Sequence, residues 1–224
     1  AVGPSEKLLT TATLAFEFHF LNAGDGTFVR KEASGLEKSL GADQQGRQIY
    51  GAGNAVFADF DGDADLDLFL GNGNTGSTGY LTRNQLFLGN GDGTFTDASS
   101  RLGGNRATLA NGSMACDFDD DGDLDLFVSV YGVSNDGGRN MLFVNDGTGK
   151  FQNRATELGV DALPGGNYWR ADLEHGRLAE PGKRPGQYIG GNGFGVDCPD
   201  IDNDGHLDIL MADIAHSTEL PPGY

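Results

Sequence analysis

The chain has 224 residues, with 33 acidic and 15 basic side chains and a formal net charge of −18. This balance argues against nucleic acid as a partner, because nucleic-acid binding needs a basic face. No run of 18 apolar residues is present to form a transmembrane helix. Fifteen of the 33 acidic residues fall in three short stretches, so the acidity is local and indicates bound cations.

The first predicted element is a hairpin over residues 14–30, which contains the phrase FLNAGDGTF. Apolar alternation around an Asn/Gly/Asp turn is typical of a β-hairpin, since glycine adopts the positive φ that tight turns need. Related turns recur as FLGNGDGTF at 87–95 and FVNDGTGKF at 143–151. The repetition indicates that one structural unit occurs several times.

Three Asp-rich stretches are the second recurring feature, and each leads into a short apolar run that predicts a buried strand. They read DFDGDADLDLF, DFDDDGDLDLF and DIDNDGHLDIL. We call their first nine residues the first (59–67), second (117–125) and third (200–208) Asp loop. Two cysteines precede Asp loops, and because two are too few for a disulfide framework we expect Cys116 and Cys198 to be buried free thiols.

Four short antiparallel strands per unit of about 60 residues predict an all-β fold, a β-propeller of four-stranded blades in a single domain over 1–224. About three blade equivalents are present, fewer than the usual four to eight blades. We therefore expect a partial propeller or fragment of a longer one, the alternative being copies that assemble. The predicted parts are an outer hairpin at 14–30, blades at 52–97 and 111–156, an insertion at 161–191 and an inner hairpin at 192–214.

The Asp loops predict calcium sites, about three in all. Calcium prefers six to eight hard oxygen ligands, and carboxylates at alternate positions of a tight loop can converge on one ion. The seventh position of such a loop contributes its backbone carbonyl, which assigns Asp65, Asp123 and His206 to that role. The predicted side-chain ligands are Asp59, Asp61, Asp63 and Asp67, then Asp117, Asp119, Asp121 and Asp125, then Asp200, Asp202, Asp204 and Asp208.

The alternative interpretation is an Asp-rich turn without an ion, since Asp and Gly are common turn residues. Three such loops in register with a repeat favour the calcium site. The side chains of Asp120 and Asp123 are expected to point to solvent. Ala64 stands where the other loops have Gly122 and Gly205, and if this position needs a positive φ the alanine costs about 1 kcal/mol.

These motifs resemble the FG-GAP/VCBS repeat, and the phrase NQLFLGNGDGTFTDASSRLG is similar to bacterial relatives of cartilage acidic protein. The resemblance covers residues 14–214. It implies a calcium-stabilised β-propeller like the integrin α-subunit head, secreted or at the cell surface. It does not imply an enzyme, and no nucleophile–base pair is recognisable because the clustered carboxylates are assigned to calcium.

A variable face is expected opposite the repeated loops, where the segments between repeats differ in sequence. The insertion holds the only tryptophan, with Tyr168, Trp169 and Arg170 as candidate partner-binding residues. The alternative is that Trp169 packs as local core. Asn111 begins an N-glycosylation sequon.

The function predicted from these features is an extracellular, calcium-binding and non-catalytic module for cell adhesion or for recognition of a protein or glycan. One alternative is a self-assembling structural subunit of a filament or surface layer, because an open half-blade invites strand addition. The other is the non-catalytic propeller of a larger enzyme.

Overall fold

The computed structural model describes residues 19–36, 41–42, 48–49, 52–72, 82–130, 139–161 and 193–213. The fold is all-β as predicted, and beside the strands the described residues include a short 3₁₀ turn at Ser99–Arg101. None of their helices is long and apolar enough to cross a membrane. The strands are β1 Phe20–Asn22, β2 Phe28–Arg30, β3 Gly41–Ala42, β4 Gln48–Ile49, β5 Ala52–Ala58, β6 Asp67–Asn72, β7 Thr82–Arg83, β8 Gln85–Gly89, β9 Phe95–Asp97, β10 Leu102–Gly103, β11 Ala107–Thr108, β12 Ala110–Cys116, β13 Asp125–Val130, β14 Met141–Asn145, β15 Phe151–Asn153, β16 Gly193–Asp197 and β17 Leu210–Asp213.

The first sheet contains β5, β6, β8 and β9 in that order, with every neighbour antiparallel. β6 is buried along its whole length, which explains the three large apolar residues, Leu68, Phe69 and Leu70, that follow Asp67. The β5–β6 connection is the first Asp loop, and the β8–β9 connection is the turn of the GDGTF phrase. Both connections therefore lie at the same end of the sheet.

The second sheet repeats this arrangement with β12, β13, β14 and β15. It has a fifth strand, because β10 joins its outer edge parallel to β15, with Leu102 opposite Phe151. β10 belongs to the chain segment that leaves the first sheet. A second short pair, β7 with β11, also links the two repeats.

The main core lies between the two sheets. Phe60 from the first Asp loop is 1% exposed and meets Phe151 of the second sheet edge-to-face, with ring centroids 5.4 Å apart. Phe69 from β6 and Phe143 from β14 are fully buried in the same cluster. The sheets are thus held together by large apolar side chains that each repeat supplies to its neighbour.

The third repeat is described as one antiparallel hairpin, β16–β17, which packs on the second sheet. Its apolar contacts with that sheet include Val196 and Met211 against Met114 and Phe127. On its other side, Ile201 is 58% exposed and Leu210 is 52% exposed. Ile201 occupies the loop position that Phe60 has in the first repeat, so this third face is open in the described part of the chain.

The expectation of free thiols is wrong, because Cys116 and Cys198 form a disulfide that joins β12 to the segment before the third Asp loop. Their Cα atoms are 6.7 Å apart, within the range that a disulfide spans. The two cysteines are 82 positions apart in sequence and meet only because the third hairpin packs on the second sheet. The bond fixes that hairpin covalently beside the second Asp loop.

Candidate functional site

The three Asp loops share one backbone path, which has two positions with positive φ. The fourth position is Gly62, Asp120 or Asn203, with φ of 75°, 59° and 59°. Asparagine and aspartate are the non-glycine residues that tolerate this region best. The sixth position is Ala64, Gly122 or Gly205, with φ of 73°, 93° and 94°. The positive φ on which the strain at Ala64 depends is therefore present. A positive φ at the fourth position was not predicted from the sequence.

Ala64→Gly should raise the free energy of unfolding by about 1 kcal/mol, because glycine removes the Cβ that is strained at positive φ. Chemical denaturation in urea measures the change. Ala55→Gly is the matched control, since Ala55 is exposed in β5 and its φ is not positive. There the same exchange should destabilise the protein by about 0.5–1 kcal/mol. Loss of stability in both variants would contradict the strain at Ala64.

Each loop is closed by carboxylates that accept hydrogen bonds from its own backbone. Asp117 accepts from the N–H groups of Asp121 at 3.1 Å and Gly122 at 3.0 Å. Asp59 and Asp200 occupy the same first position and accept from the matching amides of their loops. These bonds hold the first carboxylate of every loop toward the loop centre.

The last aspartate of each loop ties the loop to its sheet. Asp125 is fully buried, and its two oxygens accept N–H bonds from Phe118 at 3.2 Å and Asn145 at 2.8 Å. Asp67 is also fully buried and accepts from Phe60 and Gly89. In the third loop, the N–H of Ile201 donates to the carboxylate of Asp208 at 2.8 Å. The ninth position is therefore an anchor as well as a predicted ligand.

Carboxylate oxygens converge in all three loops, and in each loop three residues bring ligand atoms within 4.8 Å of one another. Asp63, Asp125 and Asp204, which were also predicted as side-chain ligands, lie outside these groups of three. Asp63 and Asp204 accept the N–H of the residue two positions on, as Asp121 also does within its group. The groups are Asp59, Asp61 and Asp67, then Asp117, Asp119 and Asp121, then Asp200, Asp202 and Asp208.

The electrostatics of the loops disfavour their negative charge in the absence of a cation. Burial raises the pKa of Asp125 to about 6, against the effect of the N–H groups of Asn145 and Phe118. Burial likewise raises the pKa of Asp61, Asp67 and Asp119, and neighbouring loop carboxylates add to the effect. A divalent cation among these oxygens would remove the repulsion and favour the ionised forms.

Two side chains that were expected to point to solvent have neighbours. Asp120 contacts the ring Nδ1 of His206, so the second and third loops touch, and this contact raises the pKa of His206. The Asp123 carboxylate lies beside Gly147, where a Cβ would come within 2.4 Å of an Asp123 oxygen. The ring of His206 is engaged with Asp120, and the role of its backbone carbonyl as a ligand stays a prediction.

The glycine-rich turns stand next to the Asp loops, so the repeated connections share one end of each sheet. A Cβ on Gly91 would come within 2.7 Å of the Asp65 carboxylate, as Gly147 does with Asp123 in the second sheet. The turns also reach across sheets. Arg101 donates to the carbonyl of Thr148 at 2.8 Å and lies 3.8 Å from an oxygen of Asp61.

The other candidate residues lie elsewhere. Asn111 is half-buried in β12 at a register shift, and its glycosylation stays a prediction. Tyr168, Trp169 and Arg170 lie outside the described residues. Asn145 donates a side-chain hydrogen bond across the sheets to the carbonyl of Phe60. Neither this contact nor those of Arg101 were anticipated, because no local pattern distinguishes the two residues from ordinary turn residues.

One comparison with known families bears on these loops. The family described as FG-GAP-like repeat matches residues 59–128, from the start of the first Asp loop into β13. No curated protein matches the chain. The matched region contains two of the three Asp loops and the chain segment that connects the first sheet to the second.

Proposed function

From the FG-GAP-like repeat that this chain carries at residues 59–128, we propose that it is a calcium-binding β-propeller module that acts outside the cell. It is non-catalytic and recognises a protein or glycan partner. The observation that carries the proposal is the convergence of three carboxylates in each of three Asp loops. Hard oxygen donors at this density suit calcium better than a transition metal.

The residues fit the ion in number and kind. Each loop offers three clustered carboxylates, and the carbonyl of its seventh residue and water would complete six to eight ligands. Magnesium fits less well, because it retains its water and demands octahedral geometry. Calcium would stabilise the loop end of each sheet, which leaves recognition to the opposite end, where the repeats differ.

An extracellular setting is supported by two features. The Cys116–Cys198 disulfide is of the kind that persists in oxidising compartments. Calcium sites of modest affinity are filled at the millimolar concentrations found outside cells. The acidic charge of −18 would be reduced by bound calcium, so the ion would also lessen the self-repulsion that opposes the compact state.

The protein should bind about three calcium ions, one for each loop with clustered carboxylates. Asp121→Ala should remove one ion and lower the melting temperature in calcium, because Asp121 belongs to the group of the second loop. Native mass spectrometry and calorimetric titration measure both effects. Asp123→Ala is the matched control: it removes a carboxylate from the same loop but keeps the carbonyl, so three ions should remain.

Calcium binding fails as a proposal if the protein takes up no ion in millimolar calcium. Recognition has a separate test, namely binding to a glycan array in calcium and in chelator. Calcium-dependent binding to a defined glycan class would support the module, whereas absence of any glycan signal would leave a protein partner as the target for crosslinking.

A second candidate function, a self-assembling structural subunit, is favoured by the open face of the third hairpin. Ile201 and Leu210 are both more than half exposed there, and exposed apolar faces of this kind associate. Light scattering with and without chelator separates the two candidates. A monodisperse monomer under both conditions would exclude assembly.

A further inference from the structure

We infer that Asn145 couples the first and second Asp loops, so that a cation bound in one loop raises the affinity of the other. The inference rests on the proposed function, because it assumes that both loops bind calcium. Its basis is one buried side chain that contacts two loops of different sheets.

The amide of Asn145 bridges the loops directly. Its Nδ2 donates to the carbonyl of Phe60 at 2.8 Å, inside the first loop, and to the carbonyl of Leu124 at 3.1 Å, inside the second. Asn145 is 5% exposed, so water does not compete freely for these bonds. Its Oδ1 accepts the N–H of Asp146 at 2.9 Å, which fixes the orientation of the amide.

The bridge continues to a predicted ligand at each end. The N–H of Phe60 donates to Asp67 at 2.8 Å, and the N–H of Asn145 donates to Asp125 at 2.8 Å. A continuous path of hydrogen bonds therefore runs from Asp67 through Phe60 and Asn145 to Asp125. These two carboxylates are the buried anchors of the first and second loops.

In the first sheet, the position equivalent to Asn145 is occupied by a glycine. Gly89 donates its N–H to Asp67 at 2.9 Å, as Asn145 does to Asp125. It has no side chain, and a Cβ there would come within 2.4 Å of the carbonyl of Leu66. The backbone role is thus common to both sheets, whereas the link across sheets belongs to Asn145.

Arg101 provides a second contact over the same junction. It reaches the Thr148 carbonyl in the turn after β14 and lies 3.8 Å from Asp61 of the first loop. The guanidinium is about one-third exposed, so its charge is partly screened. Asn145 is therefore the stronger link.

The expected sign of the coupling is positive. Without cations, repulsion among the carboxylates loosens each loop, and loosening of either one releases Asn145. Calcium in one loop orders the shared bonds, so less conformational entropy remains to be lost when the other loop binds. Direct repulsion between the two ions opposes this effect but is screened at physiological ionic strength.

The test measures calcium affinity of the second loop by calorimetric titration at 0.15 M salt, a physiological ionic strength. The third loop is disabled throughout by Asp202→Ala. Disabling the first loop with Asp61→Ala should weaken calcium binding to the second loop by about fivefold or more. The same Asp61→Ala change should have almost no effect on the second loop when Asn145 is replaced, in Asn145→Ala or Asn145→Gly.

Asn145→Gly is included in case Asn145→Ala does not fold, because the first sheet forms with glycine at the equivalent position, Gly89. Asn90→Ala is the control: Asn90 is an exposed turn residue whose side chain bonds within its own turn, and the fivefold effect should persist. Absence of any calcium binding would overturn the proposed function and the inference with it. If the second loop binds calcium with the same affinity with and without Asp61→Ala, the inference alone is overturned.

Discussion

Phe60→Ala should lower the free energy of unfolding by about 3–5 kcal/mol, the usual effect of truncating a buried phenylalanine. Phe60 is 1% exposed and fills the junction between the two sheets, where its ring meets Phe151 edge-to-face. The cavity would open between repeats, and β-sheets on either side cannot collapse into it without shifting the first Asp loop. Urea unfolding of the calcium-loaded protein measures the loss.

Ile201→Ala is the matched control, because Ile201 occupies the same loop position in the third repeat and is 58% exposed. Its truncation should change the free energy of unfolding by at most about 0.5 kcal/mol. A loss at Ile201 comparable to that at Phe60 would show that another surface covers the third repeat in solution. Equal small effects at both positions would contradict the packing between the sheets.

Replacing both cysteines, by Cys116→Ser with Cys198→Ser, should lower the free energy of unfolding by about 2–5 kcal/mol. The disulfide closes a segment of 82 residues in sequence, and a cross-link over so long a segment strongly restricts the unfolded chain. In the folded protein it holds the third hairpin against Met114 and Phe127. Chemical denaturation of the oxidised wild type, the double variant and the reduced wild type measures the differences in the free energy of unfolding.

Hydrogen exchange locates the same effect. Amides of β16 and β17 should lose more protection in the double variant than those of β6 and β8 in the first sheet, which lie outside the closed segment. Protection lost evenly over all strands would contradict a local role of the bond. Unchanged stability in both the double variant and the reduced protein would show that the two sulfurs are not bonded.

The loops were predictable because their chemistry is local. Asp at alternate positions and glycine at the sixth fix both the backbone path and the convergence of carboxylates, and even the strain at Ala64 follows from that pattern. The all-β fold and the hairpins follow in the same way from apolar alternation and turn residues. These features depend on residues within about ten positions of each other, which is the range of sequence periodicity.

Contacts between repeats were not predictable, because they depend on how sheets pack. Cys116 directly precedes its loop whereas Cys198 stands two residues before the third, and these unequal offsets conceal the disulfide. Asn145 resembles any asparagine of a β-turn until the carbonyl of Phe60 is placed beside it. Asp120 likewise gains its neighbour His206 only through the packing of the third hairpin.

The parallel pairing of β10 with β15 has a consequence for how such chains can be divided. The segment that leaves the first sheet supplies an edge strand and the buried Leu102 to the second. A cut between β10 and β12 therefore removes the edge strand from the second sheet and leaves it unpaired at the end of the first. Repeat boundaries read from sequence therefore do not coincide with the sheets of the fold, and a recombined or shortened array should exchange the β10 segment together with the sheet that follows it.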